Sequence, residues 1–293
     1  MMKHRDGRII DTPNGQDKLL AKLYGSALGR ALLRPLVSPA VSRVAGKLLS
    51  TRLSCLLIRP FIRQNGIDMA QFEPAAYRSY NEFFARKIRP ELRPIDRDPL
   101  HLISPCDSKL TALRIAPDST FCLKHTRYTL ASLLKNETLA AQYTGGYALI
   151  FRLTVDNYHR YCYVCDGEKG ENVRIPGVLH TVNPVANDYY PIYKENAREY
   201  SILHSELFGD VLMMEVGALM VGRIVNHHGK ARVTRGQEKG YFQFGGSTVV
   251  LLMEPGRADI DADILENSLS HIETIVRMGE RIGVRAACAA NTF

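Results

Sequence analysis

Two rhythms of apolar residues divide the chain. Between residues 16 and 63 the spacing is helical. Leu19, Leu20, Leu23, Ala27 and Ala31 recur on one face, with Lys18, Lys22, Arg30 and Arg34 beside them. Pro35 and Pro39 interrupt the pattern. It resumes in Val41, Val44, Leu48, Leu49, Leu53, Leu56 and Leu57, with Arg43, Lys47, Arg52 and Arg59 between, and Pro60 follows. Such spacing predicts amphipathic helices with basic polar faces. No apolar run approaches the roughly 20 residues needed to span a bilayer. Residues 70–98 follow, where Pro90 and Pro94 mark a helix end and an extended connection.

From about residue 100 the rhythm shortens. β-branched and aromatic runs alternate with Gly, Asn and Asp turns: Tyr147–Val155, Tyr161–Val164, Val211–Val216, Ala218–Val225, Ala231–Thr234, Tyr241–Phe244 and Thr248–Met253. These predict a mostly antiparallel β core. Leu130–Leu134 and Ile264–Arg281 have helical spacing. Asp261 or Asp263 is placed to cap the second, and Gly279 and Gly283 lie near its end. The expected fold class is α+β: a mostly antiparallel β core, an N-terminal amphipathic helical segment and a C-terminal helix.

Composition and charge narrow the function. A chain of 293 residues, 45% apolar and 23% charged, can bury a sizeable core. The net charge of +8 points to an anionic partner: nucleic acid, an anionic membrane or an acidic substrate. The basic residues concentrate on the leucine-rich helices and are not interleaved with aromatics in the β region. No helix-turn-helix or zinc-finger spacing occurs, which argues against nucleic acid. Neither G-x-G-x-x-G nor a P-loop is present, which argues against nucleotide-driven chemistry. Acidic residues are almost absent from the polar faces of the helices. That favours an anionic membrane surface over a hairpin packed on the core.

The six cysteines are scattered, and the N-terminal Met-Met-Lys-His-Arg-Asp-Gly-Arg has no apolar region behind it. A reduced, cytoplasmic setting is expected. Cys162 and Cys165 form a lone C-x-x-C on a predicted strand, where odd spacing sends side chains to opposite faces; no metal is expected there. The adjacent His227 and His228 face opposite ways for the same reason, and a turn before Gly229 accounts for them.

Gly245-Gly246-Ser247-Thr248 joins the aromatic strand to the apolar one. Alone it is ordinary turn chemistry. It has ordered companions: Asn81-Glu82-Phe83-Phe84-Ala85-Arg86-Lys87, Arg93-Pro94-Ile95-Asp96, Ser104-Pro105-Cys106-Asp107-Ser108, and Lys124 with Tyr128-Thr129-Leu130 and Leu133-Leu134. Then come Asp156-Asn157-Tyr158-His159-Arg160-Tyr161, His180-Thr181-Val182-Asn183-Pro184, Asn196-Ala197-Arg198-Glu199, Gly222-Arg223-Ile224-Val225 and Lys239-Gly240-Tyr241-Phe242. The ordered set, from about residue 75 to 281, resembles the phosphatidylserine decarboxylase family.

That resemblance implies a proenzyme that cleaves itself between Gly246 and Ser247. Ser247 Oγ attacks the Gly246 carbonyl, the resulting ester eliminates to dehydroalanine, and hydrolysis releases ammonia and leaves a pyruvoyl group at position 247. Residues 1–246 and 247–293 remain together as a heterodimer of large and small chains, and further homo-oligomerisation stays open. The pyruvoyl group is the implied cofactor; through a Schiff base it converts phosphatidylserine to phosphatidylethanolamine. Serine needs a base. Asp107 matches the family's acid and His159 its histidine. Many relatives carry a second histidine where this chain has Cys162, so His180 and Cys162 are reserve candidates. An unperturbed thiol, with pKa about 8.5, is mostly protonated at neutral pH.

The implied organisation is a membrane-associating helical segment over 1–75 and a catalytic domain over 76–293, peripheral on the cytoplasmic face of the cell membrane. Two alternatives stay open: a pyruvoyl-dependent decarboxylase of another amino acid, and a non-catalytic lipoyl-like β-barrel module with Lys239 near a hairpin.

Overall fold

The computed structural model describes residues 1–10, 26, 29, 38–123, 126–154, 157–180, 195–218, 223–243 and 247–287. Most of the helix expected over 19–34, and the residues Lys124, Asp156, Gly245 and Gly246, lie outside them.

The helices are α1 (Pro39–Leu49), α2 (Ile58–Asn65), α3 (Tyr80–Phe84), α4 (Leu130–Leu134), α5 (Glu137–Gln142) and α6 (Ala262–Leu269). The strands up to residue 153 are β1 (Met2–His4), β2 (Ile9–Ile10), β3 (His101–Ile103), β4 (Ser108–Arg114), β5 (Thr120–Leu123), β6 (Thr126–Thr129) and β7 (Tyr147–Leu153). Next are β8 (Arg160–Cys162), β9 (Gly167–Lys169), β10 (Val173–Ile175), β11 (Arg198–Ser205), β12 (Gly209–Val216), β13 (Ile224–Asn226) and β14 (Ala231–Val233). The last five are β15 (Glu238–Phe242), β16 (Ser247–Met253), β17 (Ala258–Ile260), β18 (Glu273–Val276) and β19 (Arg281–Arg285).

One large sheet runs β14-β9-β11-β12-β16-β7-β4-β18-β1-β2, with β10 added on β11. Its pairs are antiparallel except β1 with β18. The fold class is therefore α+β, as the two rhythms predict. The central strands are buried on both faces, so they read as continuous apolar runs. Leu149, Phe151, Val249, Leu251, Val211 and Met213 face one core, closed by the small sheets β13-β15-β8 and β17-β19-β3. Ala148, Ile150, Val250, Leu252, Leu212 and Met214 face a second core, closed by α4 and α5. Alternation along a pleated strand requires this division.

The N-terminal helices reach the sheet through aromatic residues. Ser38 caps α1, accepting a hydrogen bond from Ala40 N (3.3 Å). α2 ends at Gly66, whose φ of +60° is a conformation glycine adopts without steric cost. Leu49, Ile58, Phe61 and Ile62 then pack on Tyr80, Phe83 and Phe84 of α3. The remaining apolar positions stay in solvent: Val44, Leu48, Leu53, Leu56 and Leu57 are 50–79% exposed.

The C-terminal expectation needs correction. In place of one helix over Ile264–Arg281 there are α6, a turn and β18. α6 stops at Ser270-His271, where His271 has φ +58° and Ile272 N donates back to Asn267 O (2.8 Å). Ile272, Ile275 and Val276 mimic helical spacing, but the β-branched run suits a pleated strand. That strand fills the place between β4 and β1. Asp261 stands at the helix start without capping it; its carboxylate accepts from Arg5 (2.6 Å) and Arg281 (3.2 Å). Arg5 also binds Asp263 (2.9 Å), which ties the N-terminal strand to the C-terminal region.

Candidate active site

Ser247 is the first residue of β16, opposite Leu153 of β7. Its side chain is fully buried, and Oγ has no hydrogen-bond partner among the described residues. Leaving a buried hydroxyl unsatisfied costs about 1–3 kcal/mol, so its position calls for an explanation. Strand register shows what surrounds it. Lys109 stands opposite Arg152, Arg152 opposite Thr248, and Thr248 opposite Val216. Neighbouring strands lie about 4.8 Å apart. The start of β4, the end of β7 and the start of β16 therefore meet at one end of the sheet. Asp107 immediately precedes β4, and the connection leaving β7 carries His159.

His159 is buried, its ring 4.2 Å from the Phe84 ring centroid. Nδ1 lies 2.9 Å from Asn157 O. A carbonyl only accepts, so Nδ1 carries the hydrogen and Nε2 is the basic nitrogen of the neutral ring. The backbone carbonyl of His159 accepts from Phe242 N (3.0 Å), which fixes the histidine to the strand leading toward Ser247.

Asp107, which matches the family's acid, is held by an arginine and a backbone amide. Arg93 grips both carboxylate oxygens (Nε–Oδ1 2.7 Å, Nη2–Oδ2 2.5 Å), and Met278 N donates to Oδ1 (2.9 Å). The Nδ1 hydrogen of His159 goes to the Asn157 carbonyl and not to Asp107. Asp107 remains a neighbour of that loop: with Asn157 and Tyr158 it lines a cavity of about 220 Å³.

Cys162 is fully buried, and burial pushes its thiol up to about 12. A group so protonated is a poor base. Cys165 is pushed up to about 11 by burial. The strand ends at Cys162, so period-two alternation does not extend to Cys165, and both thiols lie in one core instead of on opposite faces. His180 is buried, and burial lowers its pKa. The Asn196 side chain clasps the His180 backbone, accepting from N (2.9 Å) and donating to O (2.8 Å), and also donates to Gly217 O (2.7 Å). His180 is thereby tied to the residue after Val216, which faces Thr248.

A buried polar network braces the same end and was not foreseen. Lys239 and Glu215, both fully buried, pair at 2.7 Å. Lys239 Nζ also donates to Asn226 Oδ1 (2.9 Å). Asn226 Nδ2 donates to Glu199 (2.7 Å) and Glu215 (3.1 Å). Burial raises the Glu215 carboxyl while Lys239 draws it back. Lys239 therefore cannot be the exposed lysine of a lipoyl-like module. Its only signal in sequence was its place in the motif before Gly240. Arg93 was likewise visible only as part of a motif; an arginine near an invited carboxylate, on a Pro-fixed segment, was the available clue.

Beside this network lies a cavity of about 860 Å³. Arg43 and Lys47 of α1 form one wall. Arg174, Arg198, Arg223 and Glu199 belong to the other, and Gly217 and Gln243 also line it.

Comparison with known proteins identifies the family. A family model described as phosphatidylserine decarboxylase matches residues 80–284. The chain is 48% identical over 226 residues to the phosphatidylserine decarboxylase proenzyme 2 of Clostridium acetobutylicum, covering 77% of each chain. It is 40% identical over 245 residues to the phosphatidylserine decarboxylase proenzyme of Clostridium botulinum, covering 82% of this chain and 83% of that one. The Clostridium novyi proenzyme is 41% identical over 245 residues, with the same coverage. The class is thus a decarboxylase. Within it, the chain belongs to the phosphatidylserine decarboxylase family.

Proposed function

We propose that this chain is a self-cleaving phosphatidylserine decarboxylase that makes its own pyruvoyl group from Ser247. The observation that carries the reading is the buried Ser247 Oγ without a hydrogen-bond partner among the described residues, at the head of a core strand. Such a hydroxyl suits a nucleophile consumed in one internal reaction. His159 Nε2 takes the Ser247 proton. Oγ bonds to the Gly246 carbonyl carbon, and the Gly246–Ser247 C–N bond breaks as the amine is protonated. Loss of the Ser247 α-proton then expels the 1–246 carboxylate, and water converts the enamine left behind to a ketone and ammonia. Asp107, clamped by Arg93, fixes the loop that carries His159, and His180 is the second candidate base. Once formed, the pyruvoyl carbonyl supplies an electron sink for the loss of carbon dioxide from an amine-bearing substrate. His159 is placed to return a proton afterwards.

The two chains stay associated on this reading. β16 is hydrogen-bonded on both sides to strands of the large chain, β12 and β7, and all seven of its residues are buried. A cut before residue 247 leaves both ladders intact. The reading is tested with phosphatidylserine in mixed micelles. Carbon dioxide release that phenylhydrazine abolishes is expected; release that a carbonyl reagent leaves untouched would contradict the cofactor.

The base assignment makes a separate prediction. Cys162→Ala should still cleave itself, because a thiol held near 12 contributes almost no thiolate at neutral pH. His159→Gln should slow cleavage at least about a hundredfold, the usual scale of a lost general base. A time course on denaturing gels reads both. Cleavage lost with Cys162 and retained without His159 would reverse the assignment.

Membrane attachment is also part of the proposal: a peripheral protein on the cytoplasmic face of the cell membrane. Among the described residues no helix is long and apolar enough to cross a bilayer. The exposed Val44, Leu48, Leu53, Leu56 and Leu57 lie among Arg43, Lys47, Arg52, Arg59 and Arg63, the makeup of an interfacial surface. Leu53→Asp with Leu56→Asp should sharply reduce flotation with anionic vesicles. Undiminished flotation would move the attachment elsewhere. Processing into two chains reports that the variant folds.

A further inference from the structure

The large cavity has a charge pattern that the self-cleavage chemistry does not use. Among the described residues five basic side chains line it against one carboxylate, Glu199. Two of the five are already committed. Arg174 pairs with Glu199 (3.2 Å), and Arg198 donates to the carbonyls of Leu133 (2.8 Å), Asn196 (2.8 Å) and Ser132 (3.2 Å). Arg43, Lys47 and Arg223 have no ion-pair partner among the described residues. Arg43 and Lys47 are four apart on α1, so they present one face, and Arg223 stands on the sheet side of the same cavity. Cations in excess of carboxylates around a concave space concentrate anions there.

We propose that this cavity binds the phosphodiester of the lipid head group, with the phosphate between Arg43 and Lys47 of α1 and Arg223 of the sheet. The proposal rests on the phosphatidylserine reading above and adds the site and its selectivity. A volume of about 860 Å³ is of the size that small-molecule sites occupy. Gly217, which follows Val216 opposite Thr248, and Gln243 also line the cavity, so it lies beside the strand that begins at Ser247 and a head group seated there has its amine on the side of residue 247. One wall is α1, which exposes Val44 and Leu48 next to Arg43 and Lys47, apolar surface suited to acyl chains. The helix facing the bilayer is thus also one wall of the substrate site. The serine head group carries a phosphate, a carboxylate and an ammonium, a net negative charge; the ethanolamine product is neutral overall. Excess positive charge therefore holds substrate more tightly than product, which favours product release.

Membrane adsorption and head-group binding are separated by a lipid that needs no membrane. Wild type, Arg43→Ala/Lys47→Ala, Arg43→Lys/Lys47→Arg and Arg223→Gln are assayed on short-chain phosphatidylserine below its micelle concentration. All should process into two chains, which reports folding. The alanine pair should raise KM about tenfold or more while kcat holds, the mark of lost uniform binding. Arg223→Gln should shift KM the same way, and the charge-preserving pair should restore it. Inorganic phosphate should compete with substrate in wild type and less in the alanine pair. An unchanged KM for the monomeric lipid, whatever happens on vesicles, overturns the proposal, because the residues then act only on the bilayer. Wild type that cleaves itself but releases no carbon dioxide from any phosphatidylserine would instead overturn the substrate reading beneath it.

Discussion

Ser247→Ala should remain a single full-length chain and release no carbon dioxide from phosphatidylserine. The alanine methyl has no nucleophile for the Gly246 carbonyl, and without cleavage there is no new N-terminus to become a ketone. Both activities should fall to background together, since one atom, Oγ, begins the sequence. Stability should move the other way. The wild-type hydroxyl is buried without a partner among the described residues, and removing it relieves a desolvation cost of about 1–3 kcal/mol. The variant should therefore unfold at the same or slightly higher urea concentration than an uncut chain that keeps the hydroxyl, such as His159→Gln. A Ser247→Ala protein that is uncut because it is misfolded would show a broad, early transition, which urea unfolding distinguishes.

The second large effect lies in the network beside that strand. Lys239→Met should destabilise the Ser247→Ala chain, used so that one uncut chain unfolds, by about 3–5 kcal/mol, because a fully buried carboxylate loses its cation. Glu215 stands opposite Glu199 across β11 and β12 and shares Asn226 with it, so two carboxylates would face each other with Arg174, on the Glu199 side, as the remaining cation. Glu215 escapes by taking a proton. Its folded pKa then rises further above its unfolded value, and a raised folded pKa means stability falls as pH rises from the ordinary carboxylate range through the raised folded pKa. The penalty should shrink on acidification below that range. Lys239→Met with Glu215→Leu should recover much of the loss, since a packed apolar pair often replaces a buried ion pair without cost. Additive losses in the double variant would contradict the coupling. The network also bears on function: Glu215 is opposite Val249, two residues beyond Ser247, and in an otherwise wild-type chain its loss should slow cleavage.

What could be read from the sequence followed physical lines. β7, β12 and β16 were legible because burial on both faces gives unbroken apolar runs bounded by turns. β1 was not: three residues, Met-Lys-His, carry no period, and only the open edge of β18 makes them a strand. Ile264–Arg281 misled because apolar residues in a helix-turn-strand can keep a spacing near four. Of the candidate site, Ser247, His159 and Asp107 stand out in the sequence through ordered motifs. Their bonding was not, because partners such as Arg93 and the Asn157 carbonyl arise from loop geometry. The Lys239–Glu215–Asn226 network was hidden for a related reason. A lysine and a glutamate 24 residues apart show no pattern until β12 and β15 bring them together.

The central claim is that the bond before Ser247 is cut and residue 247 becomes a ketone. Intact-mass spectrometry of the purified protein tests it most directly. Two species are predicted: residues 1–246 with a free C-terminal carboxylate, and residues 247–293 lighter by one ammonia than a chain beginning with serine. A single full-length mass after prolonged incubation, or a small chain that begins with an intact serine, would contradict the account.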